Sequence, residues 1–374
     1  MSWRRDLVAR LQAANFSLAI VDHEIQPWAF PLANELRIPY VLLSISIENR
    51  FTDEGSGSPV PFAYVPDVAE GYSDSMDLLQ RVDNTVFHVF YTGYWFWKVL
   101  QLEGALFTAW TDTRLRPALV LRMDHAFFNF PRPNVPNNLL VGRKDRVAAA
   151  NATTARPLSR GGRQVLVSFT TLGKQGMPHY MSEQLKAAFL ANPNYTFVWR
   201  NKRKSHLPQI GNVRYTDWVN FPQFFNDPSS ALFISHGGSA GVLEASRYGI
   251  PTLNIPLGLD HYGVSSRARR SASSVEVSKR QLIDGQLRSI LQRTLADEAL
   301  KRNALKLAQF YSDEEELLLS ASPLLYWIEF GVRQRTRLHW LATAGRDLRF
   351  VVFFSFDIAI AVLLLLYCIA ASDQ

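Results

Sequence analysis

The stretch ALFISHGGSAGVLEASRYGIPTLNIPLGLDH, residues 231–261, decides how this chain is to be read. It opens on an apolar run, 231–235, of the kind that sits inside a parallel sheet with both faces covered. His236-Gly237-Gly238-Ser239 follows, a turn whose glycines let the backbone bend tightly. Residues 241–248 then carry the pattern of a short helix, and Gly249 supplies its C-cap. A second apolar run at 251–256 leads to the pair Asp260-His261. A helix that begins on glycines presents free N–H groups and the positive end of its dipole, which together make a ready site for a diphosphate.

The same alternation extends outward. Residues 165–169 (VLVSF), 196–200 and 213–218 read as strands and 180–190 as a helix. With 231–235 and 251–256 they predict a doubly wound parallel sheet. Residues 158–163 (LSRGGR) read as a linker, and 278–312 as one long helical stretch opened by a capping box from Ser278 to Gln281. Nearer the start, helix 4–14, strand 16–22 (FSLAIVD), helix 28–36 and strand 40–46 form a second β-α-β succession. Asp22 closes the first of those strands, at the carboxyl end where ligands of open α/β sheets gather, although a loop-capping Asp has the same signature. Residues 87–97, rich in aromatics, read either as the wall of a pocket or as an amphipathic core helix.

At 374 residues and 47% hydrophobic content the chain can bury two modest cores. The formal charge of +7 comes from scattered Lys and Arg with local knots at Arg4-Arg5, 200–204 and 267–270. No helix-turn-helix, zinc-finger or RNA-binding signature accompanies them, so they read as solvated faces and nucleic acid is not expected as a partner. The one cysteine, Cys368, lies in a C-terminal apolar segment, which leaves the aqueous part without a disulfide. That segment, 350–371, is interrupted by Asp357 alone, and a bilayer core asks for about 20 such residues. Arg346 and Arg349 flank it and can snorkel to headgroups, so a C-terminal transmembrane helix is expected, with a buried core helix as the alternative. Residues 1–6 (MSWRRD) have charges but no apolar region after them, and the chain is read as lacking its front part. Sequons at Asn15, Asn151 and Asn194 suit a luminal protein.

Taken together, these segments resemble the signature of the UDP-glycosyltransferases, which move a sugar from a UDP-sugar onto small lipophilic acceptors. The family pattern is a Trp, then His-Gly-Gly at a fixed interval, then Glu, then Asp-Gln. Here Trp218 stands 18 residues before His236, Glu244 follows by 8 and Asp260 by a further 16. The likeness continues in YVPDVAEGYSDSMDLLQRV (64–82), NFPRPNVPNNLLVG (129–142) and PLLYWIEF (323–330). It implies an α/β fold of GT-B type, two Rossmann-like domains of which the first is incomplete, followed by a transmembrane helix. The implied divisions are 1–157 for the acceptor-binding remainder, 158–164 for the linker and 165–322 for the UDP-sugar-binding domain. Connecting helices at 323–349 and the membrane helix at 350–371 complete them. The resemblance also implies a single-pass anchor with the catalytic part in the lumen of the endoplasmic reticulum, no cofactor and no metal.

Site roles follow from the same resemblance. Trp218 is expected to stack on uracil, and His236 with the amides of Gly237, Gly238 and Ser239 to grip the diphosphate and stabilise departing UDP. Glu244 is expected to accept hydrogen bonds from the ribose, Asp260 and His261 to hold the sugar hydroxyls, and Thr171 to touch the diphosphate. From the residues alone, a core tryptophan, a solvated helix acid, a turn-forming Asp and an ordinary loop threonine stay open. Asp22 matches the acid of the catalytic His-Asp dyad, in which a histidine takes the acceptor proton and the Asp fixes its tautomer. None of the eight histidines stands in the matching context for that base, so the chain is expected to lack it.

Four positions depart from the pattern. Thr170 replaces a usual Gly after the first strand, Ala240 a usual Asn, and His261 the usual Gln. In WVNFPQ (218–223) the Trp-x-Pro-Gln order is disturbed, and the ungapped match that keeps Trp218 puts Phe221 where the Gln belongs. Two readings therefore stand: a membrane-anchored transferase represented by a fragment, or a non-catalytic relative that binds UDP or pairs with intact transferases.

Overall fold

Short runs of three to six residues make the strands of two parallel sheets, and the central ones, rich in Val, Ile and Leu, are covered on both faces. The computed structural model describes residues 2–22, 32–33, 35–47, 49–102, 117–142, 163–169, 177–201, 211–258, 260–320, 323–343 and 356–372. The first sheet holds β1 (Ala19–Asp22), β2 (Tyr40–Ser44), β3 (Leu119–Arg122) and β4 (Asn138–Leu140) in that order, all parallel. Around it run α1 (Ser2–Ala13), α2 (Arg50–Ser56) and α3 (Leu78–Leu102).

The second half runs β5 (Gln164–Ser168), α4 (His179–Leu190), β6 (Thr196–Arg200), β7 (Val213–Thr216), α5 (Phe221–Asn226) and β8 (Ser230–Ser235). It continues through α6 (Ser239–Arg247), β9 (Thr252–Asn254), α7 (His261–Arg270) and β10 (Ser274–Glu276). Its strand order is β10-β9-β8-β5-β6-β7. The chain enters at the centre on β5, winds out to β7, returns to β8 and winds out again to β10. That is the expected doubly wound sheet, and its topological switch point lies between β5 and β8. Trp199, Phe189 and Phe197 fill one face with Leu253 and Leu291; Phe225, Phe233 and Ile250 fill the other.

The stretch expected as one helix at 278–312 is three: α8 (Lys279–Ile283), α9 (Leu287–Ala296) and α10 (Glu298–Ser320). The capping box is present, with Gln281 N–H donating to Ser278 Oγ at 3.2 Å and Ser278 N–H to Gln281 Oε1 at 2.9 Å. The chain then turns so that Leu287, Ile290, Leu291 and Leu295 reach the β5-side core, and Asp297 restarts the helix. Its Oδ1 accepts the N–H groups of Ala299 and Leu300, both at 2.9 Å. Side-chain capping and core burial outweigh the propensity for a continuous helix.

Residues 87–90 cover the described part of the aromatic-rich stretch. They belong to α3, whose described side chains are amphipathic: Asn84 and His88 are buried, while Val89 and Phe90 face outward at 51% and 70% exposure, as do Val86 and Val82 one and two turns before Phe90; the side chains at 91–97 lie outside the described residues. Most of the helix expected at 28–36 lies outside the described residues. After α10 the chain crosses back. On α11 (Pro323–Arg333), Leu324, Trp327, Ile328 and Phe330 pack on Val41, Leu119 and Leu121 of the first sheet, as does Leu338 in the 3₁₀ turn Leu338–Leu341. The C-terminal helix α12 (Phe356–Ser372) is 17 residues long, and among the described residues no helix is long and apolar enough to cross a membrane.

The two halves meet on α7. Gly263 N–H donates to Val68 O at 2.7 Å, Ser266 Oγ to Tyr72 O at 2.6 Å, and Arg269 to Gly71 O at 3.2 Å. Arg270 pairs with Asp74 at 3.3 Å. The knot at 267–270 is therefore a solvated face only in part: Arg269 and Arg270 are exposed while bonded across the seam. Arg267 is 3% exposed and lies 4.7 Å from the ring centroid of Phe130, with Arg270 at 5.9 Å from the same ring. Ile47 and Phe128 join Val242, Leu243, Val264 and Tyr311 in one apolar cluster along this seam. A Cβ at Gly263 would lie 2.5 Å from Val68 O and 2.7 Å from Val68 Cα, both backbone atoms. Gly263→Ala is expected to lose about 1–3 kcal/mol of stability in urea unfolding, because the seam must part to admit a methyl group. Gly211→Ala, where nothing lies within 4 Å, is the control and is expected to stay within about 0.5 kcal/mol of the parent.

Candidate functional site

The carboxyl ends of β5 and β8 carry the serines Ser168 and Ser235, paired across the switch point. Ser235 Oγ donates to Asn254 Oδ1 at 3.0 Å and accepts Gly237 N–H at 3.0 Å. Asn254 in turn donates to Ser274 Oγ at 3.0 Å and Thr252 Oγ1 at 3.3 Å. A buried polar ladder across β8, β9 and β10 thus fixes the path of the His236–Ser239 turn. Gly237 has φ +84°, and a Cβ there would lie 2.6 Å from Ser265 Oγ and 3.0 Å from His261 O. Conformation and space both demand glycine. At Gly238 a Cβ would meet His236 Nε2 at 2.6 Å. Gly238 is the N-cap of α6 and contributes no side-chain cap, so the first-turn amides of that helix are left for another acceptor.

His236 and His261 pack edge to face with ring centroids 4.5 Å apart. His236 is pushed down to about 4 by burial and by the neighbouring His261, against a hydrogen bond to the Ser168 backbone and the charge of Asp260. Burial likewise lowers His261 to about 4. Both imidazoles are neutral at pH 7. Burial raises Asp260, whose Oδ1 is 3.8 Å from His261 Nε2 and whose Oδ2 accepts Ser46 Oγ at 3.5 Å. Ser46 lies just past β2 of the first sheet, so the carboxyl edges of the two sheets face each other across this contact. Asp22, the last residue of β1, stands on that same edge in register with Leu43.

His236, Gly237, Gly238, Asp260 and His261 therefore converge, with Ser239 opening α6 beside them. Glu244 lies further along α6, half-buried. Trp218 stands beyond β7, two strands from β5 and hence about 10 Å to the side. It is 71% exposed, with the Arg200 guanidinium 5.0 Å from its ring centroid, so the core-tryptophan alternative fails. Asp260 occupies the N-cap position of α7 but makes no capping bond with its side chain, so it is not spent on the turn. Thr171 and the neighbouring Thr170 lie outside the described residues.

Sequence reading passed over Ser46, Ser168, Ser235, Asn254 and Ser265. A signal existed for two of them: VLVSF and ALFIS each end an apolar strand on serine, a costly residue to bury there without a partner. Among the described residues, Ser168 Oγ, Ser265 Oγ and His261 Nδ1 are buried without a hydrogen-bond partner. Polar atoms orphaned around an amide-lined turn at a switch point are what a polar, oxygen-rich ligand would satisfy.

Comparison with known proteins supplies the chemistry. The family model described as UDP-glucoronosyl and UDP-glucosyl transferase matches residues 2–372. UDP-glucuronosyltransferase 2B15 of Homo sapiens is 28% identical over 390 residues, covering 98% of this chain and 70% of that protein. UDP-glucuronosyltransferase 2C1 of Oryctolagus cuniculus is 29% identical over 389 residues, covering 98% and 74%. Among solved structures, the glycotransferase of kitacinnamycin superposes with a TM-score of 0.57 at 16% identity, over 86% of this chain and 79% of that one. Spinosyn rhamnosyltransferase gives 0.54 at 17% identity, over 87% and 76%. These structural likenesses establish the α/β GT-B fold, two parallel-sheet halves facing across a cleft. With a family match that runs almost from end to end, the chain belongs to the UDP-glucoronosyl and UDP-glucosyl transferase family.

Proposed function

We propose that this chain binds a UDP-sugar across the β5/β8 switch point and passes the sugar, with inversion and without a metal, to a small lipophilic acceptor held by the first half. The observation that carries the reading is the His236–Ser239 turn: a backbone bent at Gly237, uncapped amides on α6, and buried orphan polar atoms around them. In this reading those amides and the His236 ring hold the diphosphate and stabilise UDP as it leaves. Trp218, exposed at the end of β7, stacks on the uracil, and Glu244 accepts from the ribose. Asp260 and His261 hold sugar hydroxyls, and Thr171 touches the diphosphate. Asp22, on the facing sheet edge, is the acid of the dyad that steadies a histidine base. The alternative, a relative that binds UDP or pairs with intact transferases without turnover, is favoured by the departures at Ala240 and His261 beside the turn.

Anchoring to the endoplasmic reticulum with a luminal catalytic part belongs to the same proposal. Its support is α12, whose Ile358, Ile360, Leu363, Leu364, Leu365 and Tyr367 are all more than half exposed, and the apolar sequence that precedes it from residue 350. Apolar side chains at that exposure call for a nonaqueous surrounding.

Calorimetric titration of the chain with UDP tests the site. The parent is expected to bind; Glu244→Ala and His236→Ala are each expected to weaken binding by about 1–3 kcal/mol through a lost charged or polar hydrogen bond. Trp218→Ala is expected to cost a similar amount, about 1–3 kcal/mol, through lost stacking on a base. Equal affinity in all four proteins would overturn the site. Stability should also follow the two imidazoles. A histidine whose folded pKa is about 4, against 6.5 when unfolded, contributes stability that is complete above pH 6.5 and is lost as the pH falls toward 4. The amount is on the order of 3 kcal/mol for each ring, less for the two together because they interact. Asp260, raised by burial, works in the opposite sense and offsets part of it. Urea midpoints measured from pH 7 to pH 4 should therefore fall, and His261→Gln should flatten the fall by about half.

A further inference from the structure

The segment between α11 and the C-terminal apolar stretch carries an exposed cationic and aromatic patch that the glycosyl-transfer site does not use. Between residues 333 and 349 the sequence holds five arginines and one aspartate. In the described part, Arg333, Arg335, Arg337, His339 and Trp340 are all exposed, and Val332 with them. Arg333 is paired with Glu329 at 3.3 Å. Among the described residues neither Arg335 nor Arg337 has a carboxylate partner. Trp340 is 73% exposed, and the Arg337 guanidinium lies 6.0 Å from its ring centroid.

The patch is rigidly mounted. Leu338, 3% exposed, is buried among Val41, Leu119 and Leu121 beneath the first sheet, with Leu341 packed beside it. Backbone bonds from Arg337 N–H to Gln334 O at 2.7 Å and from Trp340 N–H to Arg337 O at 3.0 Å fold the segment tightly. Thr343 Oγ1 donates to Gly57 O at 3.3 Å and ties its far end to the first half. An exposed tryptophan held beside unpaired arginines, on a stable base, fits one kind of surface: indole at the level of the headgroups, guanidinium groups on phosphates.

We propose that Arg335, Arg337 and Trp340 dock the folded body onto an anionic phospholipid bilayer, holding it against the surface from which α12 departs. The inference rests on the membrane-anchor reading of α12, and the experiment separates the two. The full chain is incorporated into nanodiscs of phosphatidylcholine alone and into nanodiscs in which a third of the lipid is phosphatidylserine, and trypsin cleavage after Arg335 and Arg337 is followed. Cleavage is expected to be about tenfold to thirtyfold slower on the anionic discs, as two arginines near a charged surface imply, and the difference should vanish in molar salt. Trp340→Ser is expected to give back part of the protection on both kinds of disc. A chain retained by the discs but cut at equal rates on both overturns the docking patch and leaves the anchor standing. A chain not retained by either disc removes the anchor; flotation with phosphatidylserine vesicles then decides the patch, which fails if the chain stays at the bottom of the gradient. Equal protection by soluble heparin, unchanged in Trp340→Ser, would make the patch a general polyanion surface and overturn the bilayer assignment.

Discussion

The close approach of α7 to backbone on two sides governs this structure. On one side the glycine turn at Gly237 lies against His261 O and Ser265 Oγ; on the other the 65–74 segment of the first half lies against Gly263. Each approach is tighter than a Cβ permits. The helix is thereby a wedge between the glycine turn and the other half of the molecule. It carries Asp260 and His261 at its tip, so the geometry of the cleft and the placement of two site residues are set by the same packing. Backbone hydrogen bonds and buried contacts of this kind are costly to lose and have one good arrangement.

The electrostatics of the site follow from that packing. Two imidazoles pressed edge to face and stripped of water stay neutral down to about pH 4, well below the 6.5 at which a free histidine takes up its proton. A neutral His236 offers one donor and one acceptor nitrogen. Asp260 faces the opposite pressure, and Ser46 from the first half meets one of its oxygens. The first half of the molecule thus touches the second at Asp260.

The architecture of the second half was legible from residues because its signals are local. A five- or six-residue apolar run, a glycine turn and a short helix repeat, and the switch point follows from the right-handed crossover rule once the strands are placed. Trp218 is a different case. Its interval to His236 marked it, but composition left a core tryptophan equally open, and the exposed ring stacked beside Arg200 is a tertiary fact. The long helix expected at 278–312 breaks because Leu287 and Leu291 must turn into a core built by residues some hundred positions earlier. No local pattern contains that requirement.

What the amino-acid sequence determined by itself was the alternation of strand and helix, the glycine turn and the order of the polar residues along it, since these depend on propensity and spacing within a few residues. What only the tertiary structure decided was which of those residues meet. Arg267 changes from a surface charge to a buried cation over Phe130 because the halves close on it. Gly263 becomes indispensable because Val68 arrives there from almost two hundred residues away. Ser235 becomes the brace of the glycine turn because Asn254, on the next strand, accepts its hydrogen bond. The reason is the same in each case: close packing fixes side-chain partners by position in space, and sequence separation carries no record of it.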